Sequence, residues 1–561
     1  MDVFIANARV RLNDSDVLGE GGEARVYRAG DQAVKLFHAP SALKAEKLAR
    51  FPRGLPREVI APRTTVHDAR GTVIGYAMPA VLGHEELARL SSRRWREGAV
   101  SNARVLELFD ALRSLLERLH AAQVVVGDLN DGNVLFDRGL ALIDADSMQY
   151  AGLPCIVGHE RTLAPELYGV DLTRAPAFTA ATDAYAWNVL LFSSLLYVHP
   201  YGGVHPKLPT LLRRAEARHS ILEPDVTFPK CAVHYRVLPD EALHHFARVF
   251  GRDGERSMPG FSMQWTKCQC GLEHARSACP DCQRRGPAAA RQAIRSNGRC
   301  SARTMFSTPG RILEAALQGG LRYVYEEGGV VRREDGSVVL DGPAPVGARF
   351  AIAGASTWVA DRLGRVTRVQ NGRVAERAST GVRGTVPVMT GTYRLEQEWI
   401  VEHATGARIG QVLEGQTWLW SGDRLGLGLY RVGDFTHVFL LERGRLVEAS
   451  CVFDDGHALL SATWEQDGRE TSELWLFNAA GQLLGSGEGH GRGRALLGGR
   501  VVCATDQGLL SLKNDGGVLV QGTLFTDTEP FVGAGDELLA QPDGSLVVVG
   551  HQEIVQLSLS P

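Results

Sequence analysis

Apolar and polar positions divide the chain into a mixed front and a strand-rich back. Leu18 to Tyr27 (LGEGGEARVY) and Gln32 to Phe37 (QAVKLF), joined by a turn at Gly30-Asp31, read as a hairpin. Ser41 to Phe51 (SALKAEKLARF) has helical composition, with Ser41 placed to cap its start. Thr72 to Leu82 reads as a strand, and Val105 to His120 carries apolar residues at helical spacing. The most apolar long run, Ala184 to Val198, is interrupted by Asn188, Ser193 and Ser194. It is too short to cross a bilayer as a helix, so a buried helix is predicted. Beyond Arg311 short alternating strands take over, with turn signals at Asp335-Gly336, Asn371-Gly372, Asp467-Gly468, Asp515-Gly516 and Asp543-Gly544.

A chain of 561 residues is too long for one core, which predicts a multidomain protein. In the back half tryptophans recur in strand contexts at Trp358, Trp399, Trp418, Trp464 and Trp475, and no helical pattern of any length intervenes. The remaining length suits an all-β domain, a β-propeller of about six blades. A β-sandwich or solenoid is the alternative, because the repeat is irregular. Between front and back, residues 285–311 are rich in Arg, Ala and Gly and read as a linker.

The formal charge of −3 gives no broad electrostatic case for nucleic acid or an anionic membrane, and neither is expected as a partner. The N-terminus has no apolar run of the secretory kind. Nine cysteines are an odd number, and four cluster in KCQCGLEHARSACPDCQ. That favours a metal site in a reducing compartment, hence the cytoplasm. Cys268, Cys270, Cys279 and Cys282 sit on two tight knuckles that suit tetrahedral zinc, with Gly271 and Pro280 at the turns. A closed four-thiolate site is structural rather than catalytic, and His274 reads as a solvated loop residue or a substitute ligand.

The chemistry concentrates between Val124 and Tyr150, where Asp128 and Asp144 bracket an apolar run and Asn133 lies five residues after the first of them. In phosphoryl transfer one carboxylate orients the attacking hydroxyl while a carboxamide and a second carboxylate hold magnesium on the nucleotide phosphates. The same residues also make good turn formers between two strands. The stretch resembles the protein-kinase catalytic loop D-x-x-x-x-N followed by a variant Asp-Phe-Gly motif, here Asp144-Ala145-Asp146. Gly19, Gly21 and Gly22, then Ala24 and Val26, resemble the glycine-rich loop, with alanine in place of its third glycine. Ala33-Val34-Lys35 stands for the lysine-bearing strand motif. The resemblance makes Glu46 the candidate partner of Lys35, against the alternative that it pairs with Lys44, Lys47 or Arg50 on its own helix. It places Met78 against the nucleotide, although a methionine there is also ordinary core.

Further on, Ala164-Pro165-Glu166, Asp183 and Arg256 resemble the kinase set that builds a peptide-substrate platform, which disfavours a small-molecule phosphotransferase. Two departures stand out. Val126-Gly127-Asp128 lacks the arginine that reads activation-loop phosphate, and Asn130 replaces the lysine usual in Ser/Thr kinases. The likeness, over roughly residues 10–265, is to bacterial eukaryotic-like protein kinases, in particular stand-alone kinase-like proteins with a Gly-Asp-Leu-Asn loop, some associated with tellurite-resistance-type gene clusters. It implies a bilobal α+β kinase-like domain at 1–265, to which the residue patterns add a zinc ribbon at 266–284, the linker, and the propeller at 312–561. It further implies a Ser/Thr protein kinase using ATP and Mg2+, with a protein substrate or partner met by the kinase platform and the propeller and a cognate phosphatase among the expected partners. The alternative is a pseudokinase scaffold acting through the propeller.

Overall fold

The computed structural model describes residues 1–559 apart from 14–15, 21–22, 98, 269–271, 281, 283–293, 362–364, 380–392, 397–398, 403–404, 412–416, 422–425, 433–434, 439–440, 444, 455, 467–468, 479 and 492. Its front is an antiparallel sheet against a helical body. The strands are β1 (Asp2–Ile5), β2 (Ala8–Arg11), β3 (Val17–Glu20), β4 (Ala24–Ala29), β5 (Gln32–Phe37), β6 (Thr64–His67) and β7 (Val73–Pro79), in the order β2-β1-β6-β7-β5-β4-β3. Burial explains the central place of β5, since every residue from Ala33 to Phe37 is covered. One helix, α1 (Ala42–Ala49), follows β5, and the Ser41 side chain caps it by accepting from the Lys44 amide.

The helical body is built from α2 (Arg93–Arg96), α3 (Asn102–Ala121), α4 (Ala180–Leu196), α5 (Leu211–Glu216) and α6 (Asp240–Phe250). Residues 85–86 form a short strand, β8 (Glu85–Glu86), that pairs with the hairpin β9 (Val134–Phe136) and β10 (Leu140–Leu142). The apolar run predicted as a buried helix is α4. It is buried from Thr182 to Leu196 and opens with a capping box between Thr179 and Thr182. Trp187 donates its indole N–H to the Phe109 carbonyl at 2.9 Å, fixing α4 on α3. Phe192 meets Phe246 and Phe250 edge-on at 5.1 and 5.6 Å, joining α6 to the same core. Such aromatic pairs favour edge contact because ring faces and edges carry opposite partial charge. Among the described residues no helix is long and apolar enough to cross a membrane.

After residue 293 the described residues form antiparallel sheets with one short 3-10 turn, Thr526–Phe531. Sheets of four, four, three and four strands follow one another from Arg311 to Arg443. An eight-stranded sheet comes next, made of two four-stranded meanders joined by one parallel pair, Ser486 with Val518. The last sheet combines early and late chain, because Cys300–Ser307 pairs with Glu553–Leu559. Here the linker expected at 285–311 needs correction. Ile294–Asn297 and Cys300–Ser307 are strands of that sheet, and residues 285–293 lie outside the described residues. Cys300 and Ala302 alternate inward while Ser301 and Arg303 face outward, a period-2 pattern hidden by its arginines and serines. Of the expected turns, Asp467-Gly468 lies outside the described residues. Trp358, Trp464 and Trp475 are fully buried, the last two with rings 5.6 Å apart.

The sheets after residue 293 rest on the helical body. Lys230 pairs with Glu529 at 2.7 Å, its amide donates to Asp506, and His551 meets Glu97 at 2.6 Å. Burial by itself would raise the Glu97 carboxyl, but the bond to His551 and the charge of Arg93 pull it down to about 2.

Candidate functional site

Lys35 stands at the middle of β5, opposite Val26 on β4 and Tyr76 on β7. The strands close tightly there. A Cβ on Gly75 would lie 2.0 Å from the Lys35 carbonyl oxygen, so only glycine lets β7 approach. Val26, Ala33 and Met78 share one apolar cluster with Leu135 and Ile143 from the β9–β10 segment. Sequence reasoning named the first three for a nucleotide and missed the last two, since Leu135 lies in a strand of three residues and Ile143 just past another, too short a pattern to read. Gly19 pairs with Val26 on the β3–β4 hairpin, while Gly21 and Gly22 lie outside the described residues.

The Lys35 ammonium is 4% exposed and sits 2.9 Å from Asp146 and 3.2 Å from Asp144. Burial opposes its charge, yet the two carboxylates outweigh it and hold its pKa above the ordinary lysine value. The expected pair with Glu46 is not formed. Glu46 is half exposed and bonded to Arg50 at 2.9 Å, one of the alternatives within its own helix. The reason is the face on which α1 docks: Lys47 and Leu48 point inward, and Lys47 donates to the carbonyls of Ser147 and Pro154 at 2.8 and 3.0 Å.

Asp144 adopts a left-handed backbone (φ 58°), an uncommon state for a residue with a side chain and one that clusters at functional positions. The Ser147 amide and hydroxyl both donate to its carbonyl, at 3.0 and 2.8 Å. The Ile143 amide, one residue earlier, donates to the Asn133 carbonyl at 3.0 Å, which ties the Asp144 turn to the catalytic-loop candidate. Asn133 in turn donates its carboxamide to Asp128 Oδ2 at 3.2 Å, and the His159 amide donates to Asp128 Oδ1 at 2.9 Å. Burial pushes the Asp128 carboxyl up, more than its bond with Asn130 and the nearby His159 pull it down. A carboxylate with raised proton affinity facing a hydroxyl can orient it and accept its proton.

The loop carrying Asp128 is anchored from below. Asp183, fully buried at the start of α4, accepts from the Val126 amide at 2.8 Å, the Gly127 amide at 2.9 Å and His120 Nε2 at 2.8 Å. His120 ends the predicted helix, but its reach to Asp183 depends on how α3 and α4 pack and has no local signal. Glu166 and Arg256 are brought together in a two-pronged bond, both oxygens lying 3.0 Å from Arg256 Nη2. Arg218 adds a third contact at 2.9 Å that sequence reasoning missed.

The cysteine segment folds against the helical body. Asn102 donates to Glu273 at 2.8 Å and the Ala275 amide donates to the Val237 carbonyl. Cys268, Cys279 and Cys282 converge with their sulfurs within 4.8 Å, and Cys268 and Cys282 are 3.6 Å apart. Sulfurs about 2.3 Å from a tetrahedral zinc are separated by about 3.8 Å, so the three thiols fit that ion. Cys270 lies outside the described residues. His274, expected in a solvated loop or as a substitute ligand, is instead buried and accepts from the Arg276 amide at 3.3 Å. A second cluster, His205, His219 and Asp225, is less suited to a metal. His205 Nδ1 accepts from the amides of Lys207 and Leu208, so its proton sits on Nε2 facing Asp225 and leaves no lone pair there.

These features resemble the arrangement of a protein-kinase domain: a lysine at the centre of a sheet, a carboxylate–carboxamide loop anchored by a buried aspartate, and a second carboxylate on a left-handed turn. No family model matches the chain. Among curated proteins it is similar to the serine/threonine-protein kinase PkaB of Streptomyces coelicolor, with 28% identity over 218 residues. The similarity takes in 35% of this chain, which spans about half (51%) of that relative's length.

Proposed function

We propose that the chain is a Mg-ATP-dependent protein kinase of the Ser/Thr class, with a bilobal catalytic domain, a structural zinc and a C-terminal β-propeller that recruits its protein partner. The observation that carries this reading is the convergence of Lys35, Asp144, Asn133 and Asp128 beside the apolar cluster of Val26, Ala33 and Met78. Those apolar groups would receive the adenine, Lys35 the phosphates, and Asn133 with Asp144 the magnesium. Bound magnesium supplies charge neutralisation along the phosphates. Asp128 would orient the incoming hydroxyl. The Glu166–Arg256 contact and the buried Asp183 anchor favour a protein substrate over a small molecule. Cys268, Cys279 and Cys282, with Cys270, would hold the zinc, and such a thiolate site suits the cytoplasm. Pairing of Cys300–Ser307 with Glu553–Leu559 supports a closed ring. Counting the eight-stranded sheet as two blades, the sheets among the described residues would make seven blades, against the about six expected from length.

The test is incubation of purified protein with labelled Mg-ATP, alone and with generic protein substrates, beside two variants. Asp128→Asn should leave nucleotide affinity nearly unchanged and lower transfer roughly a hundredfold or more, the scale for losing a positioned acid–base group. Asp144→Ala should weaken Mg-ATP binding as well. Wild-type transfer no faster than that of Asp128→Asn would refute the kinase reading. A scaffold is then the alternative, and one observation favours it: Asn130 is buried and its side-chain Oδ1 accepts from the Gly132 and Asn133 amides, so it shapes the turn instead of reaching toward phosphate.

A further inference from the structure

The environment of Lys35 differs from what the kinase likeness implies in one chemically specific way. A strand lysine that handles phosphates needs a fixed carboxylate behind it, or its flexible four-carbon stem wanders. Glu46, the only acidic residue of α1, is turned to the surface and bonded to Arg50. Two carboxylates do reach Lys35, and they are not equivalent. Asp144 is 38% exposed and faces the position proposed for magnesium. Asp146 is 6% exposed, lies 2.9 Å from the ammonium, and its Oδ1 also accepts the Tyr76 hydroxyl at 2.6 Å. Tyr76 is fully buried on β7, the strand that the Gly75 contact presses against Lys35. Asp146 is therefore held at Oδ1 by both Lys35 and Tyr76. The turn that carries it, Ala145–Ser147, is fastened to α1 through the bond from Lys47 to the Ser147 carbonyl.

We propose that Asp146 is the positioning residue that holds Lys35 for the nucleotide phosphates, in the place the likeness gives to Glu46. The proposal rests on the nucleotide-binding part of the reading above. When a nucleotide and its metal occupy Asp144, Asp146 is the carboxylate left to fix the lysine. The lysine anchor and the metal-facing carboxylate then belong to one turn, two residues apart, and no helix has to swing inward to assemble them.

The experiment measures the affinity of the full chain for a fluorescent ATP analogue, with Mg2+ and again in EDTA, together with transfer to a protein substrate. Asp146→Asn should weaken binding about tenfold in both conditions, the scale of one hydrogen bond to a charged group. Glu46→Gln should change it less than about twofold. In a Lys35→Met background Asp146→Asn should have almost no further effect, because its role runs through the lysine; a merely structural residue would weaken binding there just as much. Tyr76→Phe, which removes only the hydroxyl behind Asp146, serves as a second variant should Asp146→Asn fail to fold. Its loss should be smaller and likewise vanish without Lys35. The proposal is overturned if the Asp146→Asn effect disappears in EDTA, which would make Asp146 a metal ligand, if it persists without Lys35, or if Glu46→Gln is the damaging change. Absence of nucleotide binding by the wild type overturns it together with the kinase reading. Coupled nucleotide binding without Asp128-dependent transfer leaves the proposal standing and removes only the kinase activity.

Discussion

Gly127 stands where the kinase likeness puts an arginine, and the structure explains why neither arginine nor even alanine fits. Its φ of 75° lies in the left-handed region, where a Cβ costs about 1 kcal/mol or somewhat more. A Cβ built there would also lie 2.9 Å from Cys155 Cβ, 3.0 Å from its sulfur and 3.2 Å from the Phe178 ring. Cys155 and Phe178 are both buried, so neither can move aside freely, and forcing an atom into such a site costs about 1–3 kcal/mol. Gly127→Ala should therefore destabilise the kinase-like domain by about 2–4 kcal/mol. Denaturant unfolding of the full chain measures it, with hydrogen exchange of the α3 and α4 peptides assigning the transition. The steric share should be relieved in a Cys155→Gly background while the dihedral share remains, so the penalty should fall by roughly half. Gly127→Arg should destabilise at least as much and gain no dependence on activation-loop phosphate. A Gly127→Ala change within about 0.5 kcal/mol of wild type, or a phosphate-responsive Gly127→Arg, would refute this account.

The thiol cluster should carry one zinc per chain, and replacing Cys279 and Cys282 together by serine should release it and lower the stability of the segment anchored through Glu273 and Ala275, because bound metal contributes folding free energy directly; metal analysis finding no zinc in the intact protein sinks the assignment. Asp536 offers a pH test. Burial first, and then the neighbouring Asp506 carboxylate, pushes its carboxyl up to about 6. A raised carboxyl favours the folded state while protonated, so this contribution is present below the ordinary aspartate pKa and is lost as pH rises through 6. Asp536→Asn should therefore melt higher than wild type at pH 7 and lose that advantage near pH 4; an advantage independent of pH would contradict the assignment.

The elements were legible where local pattern and burial agree. The β5 run, the capped α1 and the apolar α4 all follow from residue type and spacing, and so did the grouping of Asp128, Asn133 and Asp144, which are near in sequence. Glu46 shows where such reading stops. The kinase likeness pointed to the only acid on α1, but which side of a two-turn helix faces inward is decided by docking, and Lys47 and Leu48 took that side. A lysine buried on two carbonyls is a poor guess from sequence, because its charge suggests solvent. Asp146 was in view within Asp144-Ala145-Asp146, yet only the αL turn at Asp144 and the packing of Tyr76 reveal that it aims at Lys35. The strand at Cys300–Ser307 was missed for a different reason: its partner is about 250 residues away, and one-sided burial beside exposed arginines looks like a polar linker.

The departures from the kinase likeness have a common physical form. A glutamate on a movable helix and an arginine that binds a phosphorylated loop are partners that can be present or absent. Here close-packed contacts occupy both places. Lys35 is met by Asp146 from the same turn as Asp144, and the Tyr76 hydroxyl closes that contact from behind. Gly127 gives up any side chain so that Cys155 and Phe178 can pack against the loop, while its amide is spent on Asp183. Displacing α1 would also have to break the two bonds that Lys47 donates to the carbonyls of Ser147 and Pro154. The contacts of Lys35, Asp128 and Asp144 thus form in this structure with Glu46 turned to the surface.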